Sequence, residues 1–298
     1  MTVASAHRFL KGKHVVVFGA GYIGGQVARV ALTAGSRVTV LTRNPRTAAE
    51  LSSIGCTAVV DQLAGTSWHD KISAVDLILN SVSGGGRGLD GYRESYLAGA
   101  ESINQWGGGI AEEVRLIYTG STSVYPQGDG CVVSESDPIA SSDERTEILV
   151  KTEHTVANWR GSSRVLRLAG IYGPARHHLL DRLRLGETQF PGSGDHHLNL
   201  IHRDDAVDAI VSTWAQESDS SHRAFNVVDD GRARKSEIVN WLARRLGRAK
   251  PSFTGEWGPG RRPNRPDRIL CNRRIKAELN WTPQYPSFKE GYAQILGA

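Results

Sequence analysis

From Lys13 to Val27 the chain reads KHVVVFGAGYIGGQV, and few folds accommodate that stretch. His14 to Phe18 is an unbroken apolar, β-branched run, the pattern of a strand buried on both faces. Gly19, Gly21 and Gly24 follow at G-x-G-x-x-G spacing, and a helical pattern begins at once. Each glycine has its own task. One makes the tight turn, one lets a pyrophosphate approach the backbone, and one packs helix against strand. The unpaired N–H groups at the helix start then hold phosphate charge. Gly19, Gly21, Tyr22, Ile23 and Gly24 are therefore candidate dinucleotide-binding residues.

Strands and helices alternate beyond this start. Gln26 to Ala34 is a small-residue helix closed by Gly35, followed by a second strand, RVTVL, at 37–41. Pro45 suits the first turn of the next helix, which runs to about Ile54. Further strands are expected at 57–60, 75–79 (VDLIL), 114–118 (VRLIY) and 164–168 (RVLRL), with helices over 89–106 and 144–159. This period means βαβ units: an α/β, doubly wound parallel sheet with helices on both faces. Residues 121–143 form a long, acidic, turn-rich segment, and such loops are usually functional. Past Gly170 come helices over 179–185, 204–215 and 236–246, a strand at 225–228, and a Pro/Gly/Arg-rich stretch over 248–267. Ser287 with Glu290 makes a capping box for a terminal helix.

An acid at the end of the second strand would hold a ribose 2′-hydroxyl, as for NAD, whereas an arginine there accommodates a 2′-phosphate. This chain has Thr42, Arg43 and Asn44 at that point and no acid. Arg43 can take the phosphate bidentately and Thr42 can donate to it, which favours NADP over NAD. The net charge of +5 over 298 residues and a pI of about 9.2 raise the question of nucleic acid. The arginines gather in the last third without interleaved stacking aromatics or a recognised motif, so no nucleic-acid partner is expected. Three scattered cysteines exclude a disulfide framework or a zinc site and fit a reducing cytosol. No apolar run is long enough for a membrane span, and the opening MTVASAHRFLKGK lacks the core of a signal peptide. A cytoplasmic protein is the expectation.

Six segments in order resemble the extended short-chain dehydrogenases/reductases, the NAD-dependent epimerase/dehydratase group. They are GAGYIGG (19–25), TGSTSVYP (119–126), RLAGIYGPAR (167–176), LIHRDDAVDAI (200–210), FNVVDD (225–230) and NRRIKAELNWTPQYPSFKEG (272–291). The resemblance implies a Rossmann domain (1–168 and 200–228) and a smaller C-terminal α/β substrate domain (169–199 and 229–298). It also implies further cofactor residues: Asp61 and Leu63 near the adenine, Asn80, Ser81 and Val82 along the cofactor, and Ala169, Gly170 and Ile171 facing the nicotinamide. A homodimer formed through a helix bundle is a further implication.

The family's catalytic set is a Ser or Thr after the fifth strand and a Tyr-x-x-x-Lys pair on the next helix. Ser121 falls on the serine position, with Thr122 beside it, and Lys151 on the lysine position. Four residues before Lys151 stands Glu147, because the segment reads EILVK, and the tyrosine is missing. Three accounts follow. Glu147 and Lys151 form an ordinary i,i+4 surface pair, with Lys151 still holding the nicotinamide ribose. Alternatively Glu147 carries the proton, its pKa raised by partial burial against the opposing Lys151. In the third account Tyr125, Tyr172 or a histidine at 177, 178, 196 or 197 reaches the substrate. An arginine that binds pyrophosphate in nucleotide-sugar enzymes is replaced here by Leu198, which points to a smaller substrate; Tyr125, Arg176 and Arg262 are the candidate substrate residues. The expected function is that of an NADP(H)-dependent oxidoreductase or epimerase-like enzyme on a small polar, sugar-derived carbonyl or hydroxyl compound. A non-catalytic NADP(H) sensor is the alternative.

Overall fold

A computed structural model of the chain describes residues 8–84, 88–216, 222–256 and 266–297. Its centre is a seven-stranded, wholly parallel sheet. In chain order the strands are β1 (His14–Phe18), β2 (Arg37–Thr42), β3 (Thr57–Val60), β4 (Leu77–Asn80), β5 (Arg115–Ser121), β7 (Ser163–Leu168) and β11 (Arg223–Val227). In space they lie β11-β7-β5-β4-β1-β2-β3. The five residues of β1 are all buried, since helices cover both faces and leave no wet side for alternation. Phe18 pairs with Leu41 on one side and Asn80 on the other. β1 and β4 thus flank the point where the strand order reverses, and a ligand crevice opens beyond their carboxyl ends.

The two faces carry separate cores. Val15, Val17, Leu79, Ile117 and Trp214 pack on one, and Val16, Phe18, Trp68, Ile78, Trp106 and Tyr118 on the other. Phe18 and Trp68 rings lie 4.8 Å apart and Trp68 and Trp106 rings 5.1 Å apart. A third cluster, with Tyr172, Leu180, Phe190, Leu242, Phe288 and Tyr292, belongs to the later part of the chain.

The helices are α1 (Gly24–Thr33), α2 (Pro45–Ser53), α3 (Gly88–Tyr92), α4 (Gly99–Gly107), α5 (Glu144–Ala157), α6 (His178–Arg184), α7 (Arg203–Ala215), α8 (Lys235–Arg245), α9 (Arg273–Leu279) and α10 (Phe288–Leu296). The single helix expected over 89–106 is instead interrupted by a π-helical turn, Arg93–Ala98, closed by an N–H of Gly99 reaching back to Glu94. Gly99 packs closely on Leu63, since a Cβ there would lie 2.9 Å from it. Three short parallel pairs were not foreseen: β8 (Gly170–Tyr172) with β10 (Leu200–His202), β9 (Gln189–Phe190) with β12 (Ser252–Phe253), and β6 (Cys131–Val133) with β13 (Arg268–Leu270). Two or three residues are too few to show a period in sequence. Segment 200–202 therefore pairs outside the large sheet, while 223–227 joins it. None of the described helices is long and apolar enough to cross a membrane.

Candidate active site

The glycine turn is shaped by contact as much as by conformation. Gly19 has φ +87°, and a Cβ there would lie 2.7 Å from the Ser81 carbonyl oxygen, so the turn sits directly on the end of β4. A Cβ at Gly24 would come within 2.2 Å of the Gly19 oxygen, which is the close packing of helix on turn. Gly21 differs. No protein atom lies within 4 Å of its Cβ position, so the open space above it is not required by the fold. The first helical bond runs from the Gly25 N–H to the Gly21 oxygen at 2.8 Å, leaving the N–H groups of Tyr22, Ile23 and Gly24 ahead of it. An open backbone with converging N–H donors fits the pyrophosphate of a dinucleotide.

That turn is one wall of a cleft of about 650 Å³. Of the expected residues, Gly19, Gly21, Thr42, Arg43, Asn44, Leu63, Ser81 and Val82 line it together. Ala20, Gln62, Ala64, Glu94 and Ser95 also line it and carried no sequence signal. Glu94 and Ser95 are brought there by the π-helical turn. At the far end Asn44 caps α2 through the Arg46 and Thr47 N–H groups. The exposed Arg43 has no carboxylate partner among the described residues. Asp61 is not in the lining. Its carboxylate accepts from the Gln62 N–H, the Ser67 hydroxyl and Lys71 Nζ (3.0 Å), so it fixes the loop that presents Gln62 and Leu63. Those bonds, Lys71 foremost, hold its pKa low. Asn80 is fully buried and both atoms of its side-chain amide lack partners.

Outside that lining, β5 finishes at Ser121. The Ser121 hydroxyl accepts from the Ser123 N–H (3.2 Å) and caps a short 3₁₀ turn over Thr122–Val124. Thr122 donates to the Leu168 carbonyl at 3.4 Å. α5 packs beside this turn. On it Lys151 Nζ donates to Glu147 Oε1 at 2.6 Å, with both side chains about half exposed (53% and 49%). The hydrogen bond from Lys151 lowers the Glu147 pKa. The expectation of a carboxyl raised by burial is thereby corrected: Glu147 is a solvated carboxylate in an i,i+4 ion pair. Beyond the end of β7, Ala169 donates its N–H to the Val227 carbonyl and Gly170 and Ile171 pair with β10, all three outside the lining of the cleft.

The alternative proton carriers are engaged elsewhere. Tyr125 is 1% exposed; its hydroxyl donates to Asn226 Oδ1 (2.9 Å) and accepts from Arg167 (2.7 Å). Arg167 in turn forms a buried, two-pronged pair with Glu153. Tyr125 is thus an interior residue, not the substrate residue expected. Tyr172 is buried against Tyr292 at 4.9 Å. His197 pairs with Asp267 (2.9 Å) and His177 with Asp181 (2.8 Å); His178 and His196 also have partners. The exposed Arg176 places its guanidinium 5.4 Å from the centre of the Tyr22 ring, as does Arg203. The Tyr22 hydroxyl donates to the Pro174 carbonyl, so Arg176 stands where the glycine turn meets the later part of the chain. Arg262 lies outside the described residues.

One positioning residue escaped the sequence reading. Arg268 donates to the carbonyls of Thr122 (3.0 Å), Tyr125 (2.5 Å) and Gln127 (3.2 Å), holding the loop that follows Ser121. Asn199 bridges behind it, donating to the Arg268 carbonyl and accepting from the Leu270 N–H.

Comparison with known proteins agrees with this architecture. The chain is similar to a functionally unknown conserved protein from Silicibacter pomeroyi, at 23% identity and TM-score 0.78, over 96% of this chain and 99% of that one. It is similar to a UDP-glucuronic acid 4-epimerase from Bacillus cereus in complex with UDP-glucuronic acid and NAD, at 16% identity and TM-score 0.79 over 93% and 96%. A dTDP-glucose 4,6-dehydratase from Streptomyces venezuelae, with NAD bound, matches at 20% identity and TM-score 0.79 over 94% and 95%. At these identities the likeness is one of fold. Among curated proteins none matches. The model of one family does match, across residues 15–227, from the first strand through β11. The chain therefore belongs to the NAD dependent epimerase/dehydratase family.

Proposed function

We propose that this protein is an NADP(H)-dependent oxidoreductase or epimerase-like enzyme acting on a small polar, sugar-derived carbonyl or hydroxyl compound. The observation that carries the cofactor assignment is Arg43, an exposed guanidinium without a carboxylate partner among the described residues, lining the cleft just beyond β2, where no acid stands. A carboxylate at that point would repel a 2′-phosphate; Arg43 and Thr42 attract one. The open backbone at Gly21 fits the pyrophosphate. When bound, the nicotinamide supplies hydride exchange with the substrate. Ser121 orients the substrate oxygen, and Lys151 holds the ribose. Kept ionised by Lys151, the Glu147 carboxylate has no proton to donate and is a weaker base than a free carboxylate.

Fluorescence titration with NADPH and NADH tests the cofactor reading. A charge-assisted hydrogen bond contributes about 1.5–3 kcal/mol, so Arg43→Ala should lower the NADPH-over-NADH preference about 10- to 100-fold. An unchanged ratio would refute the assignment. The second reading, an NADP(H) sensor without turnover, is favoured by one observation: no phenol stands four residues before Lys151, and Tyr125 and Tyr172 are buried in the interior. NADPH oxidation over a carbonyl panel, with Lys151→Ala as control, separates the two. Tight NADPH binding with no turnover on any member decides for the sensor.

A further inference from the structure

A second cleft, of about 700 Å³, lies on the later part of the chain and shares no lining residue with the cofactor cleft. Its first wall is one face of α8: Glu237, Asn240, Trp241 and Arg244, at i, i+3, i+4 and i+7. The opposite face of the same helix, Ile238, Val239, Leu242 and Ala243, is buried in the third core. Helical patterning would put only polar side chains on the outer face. Here Trp241 sits on it, with its ring edge-on to Phe288 at 5.6 Å. Gly231, Arg232 and Ala233 form the second wall, and Ser287, Phe288 and Lys289 at the start of α10 the third. Lys250 closes one end.

The charges do not balance. Arg232, Arg244, Lys250 and Lys289 face a single carboxylate, Glu237. All four cations are exposed, and none forms an ion pair with another described residue. The surplus is confined to a concavity, where low-dielectric walls focus the field and raise the local concentration of anions. Below them, Oδ1 of Asn240 is buried without a donor. Turning the amide over would only leave its NH₂ group unpaired in the same place. An unpaired buried polar atom is costly, and a ligand hydroxyl reaching it would remove that cost. The volume is that of a small-molecule site, and an apolar floor with few placed polar groups is the usual construction of one.

The geometry points to a binding site for a phosphorylated sugar. The phosphate meets the rim cations, a ring hydroxyl donates to Asn240, and the apolar face of the sugar rests on the Trp241–Phe288 floor. A phosphate monoester carries nearly two negative charges at neutral pH, against one for a carboxylate, and so answers the surplus better.

The test follows the Trp241 indole N–H in ¹H–¹⁵N spectra, assigned with Trp241→Phe, during titration with glucose 6-phosphate, ribose 5-phosphate, glucose and inorganic phosphate. At least one of the two sugar phosphates should shift that signal with Kd near ~0.1 mM, and glucose and phosphate alone should bind at least about tenfold more weakly. The double variant Arg244→Gln/Lys250→Gln should lose at least about tenfold, and Asn240→Leu should weaken the sugar phosphate but not phosphate. NADPH affinity should stay unchanged in both, since every altered side chain lies outside the cofactor cleft, and Tm should not fall in either. Any of four results overturns the proposal: no shift of Trp241 with either sugar phosphate, undiminished affinity in the double variant, inorganic phosphate binding as tightly as the sugar phosphates, or a single-stranded oligonucleotide displacing them at equal concentration.

Discussion

A Cβ at Gly24 would lie 2.2 Å from the Gly19 carbonyl oxygen, while a Cβ at Gly21 would meet nothing within 4 Å. The two glycines therefore fail differently. Gly24→Ala forces backbone apart and should cost about 1–3 kcal/mol of stability, as overpacking does, read as a fall in Tm. On the proposed cofactor site, Gly21→Ala should leave Tm unchanged and lower NADPH affinity at least about tenfold, because the methyl group would stand in the open space proposed for the pyrophosphate. Equal stability losses in the two variants would remove the distinction. Glu147 admits a similar decision by magnitude. A general acid–base residue contributes about 10²–10⁴-fold to rate, so if Glu147 is only the partner of Lys151, Glu147→Gln should change kcat less than about tenfold. A drop of a hundredfold or more would make Glu147 the proton carrier after all. The ionised state of its carboxyl, set by the Lys151 bond, argues for the smaller effect.

Among the elements, β13 is three residues long and yet determines the shape of the loop after Ser121. It pairs with β6 and sends the Arg268 guanidinium to three carbonyls between residues 122 and 127. Hydrogen bonds from a charged donor contribute about 1.5–3 kcal/mol each before losses to water. Arg268→Gln should accordingly lower Tm by several degrees, and it should lower kcat with the NADPH Kd unchanged. Arg268→Lys, which keeps the charge but not the fork, should recover little. A loss of NADPH affinity in step with kcat would place Arg268 in the cofactor site instead. The π-helical turn at Arg93–Ala98 is a second short device of this kind, since it directs Glu94 and Ser95 into the cleft; π-helical turns frequently occur at functional sites.

For the molecule as a whole, two opposed contributions to acid stability arise where α7 meets the C-terminal segment. His202 is fully buried, its ring tilted against Tyr285 at 4.0 Å, and burial lowers its pKa to about 4. Asp205 accepts the Gln284 and Tyr285 N–H groups, and burial raises its pKa to about 6. The two act in opposite directions. Between pH 6.5 and 4 the unfolded chain takes up the His202 proton first, so stability falls as pH falls. Between about pH 6 and 3.8 the folded chain takes up the Asp205 proton first, so stability rises as pH falls, and Asp229, raised by its own burial, acts in the same sense. Asp205→Asn should thus steepen the decline of Tm between pH 6 and 4, measured by thermal unfolding at stepwise pH; a parallel curve would show that Asp205 does not titrate in that window. Glycine turn, second-strand arginine and alternating strands were legible in the sequence because each is a local pattern, complete within about thirty residues. Thr42, Arg43 and Asn44 lie close behind Gly19 to Gly24 in the chain, and strand pairing brings them to one cleft. Arg268, Gln62 and Glu94 had no period or spacing to mark them. Tyr125 was misread as a substrate residue, and the accounts of Glu147 stayed open, because both roles depend on burial: the phenol sits inside and the carboxylate outside, in the i,i+4 pair that one account expected. The sequence by itself determined the α/β fold and the glycine turn with its open backbone at Gly21, since backbone conformation and strand periodicity are written locally. Only the tertiary structure decided which side chains face the cleft and in which charge state, because burial and cross-chain pairing arise from residues far apart along the chain.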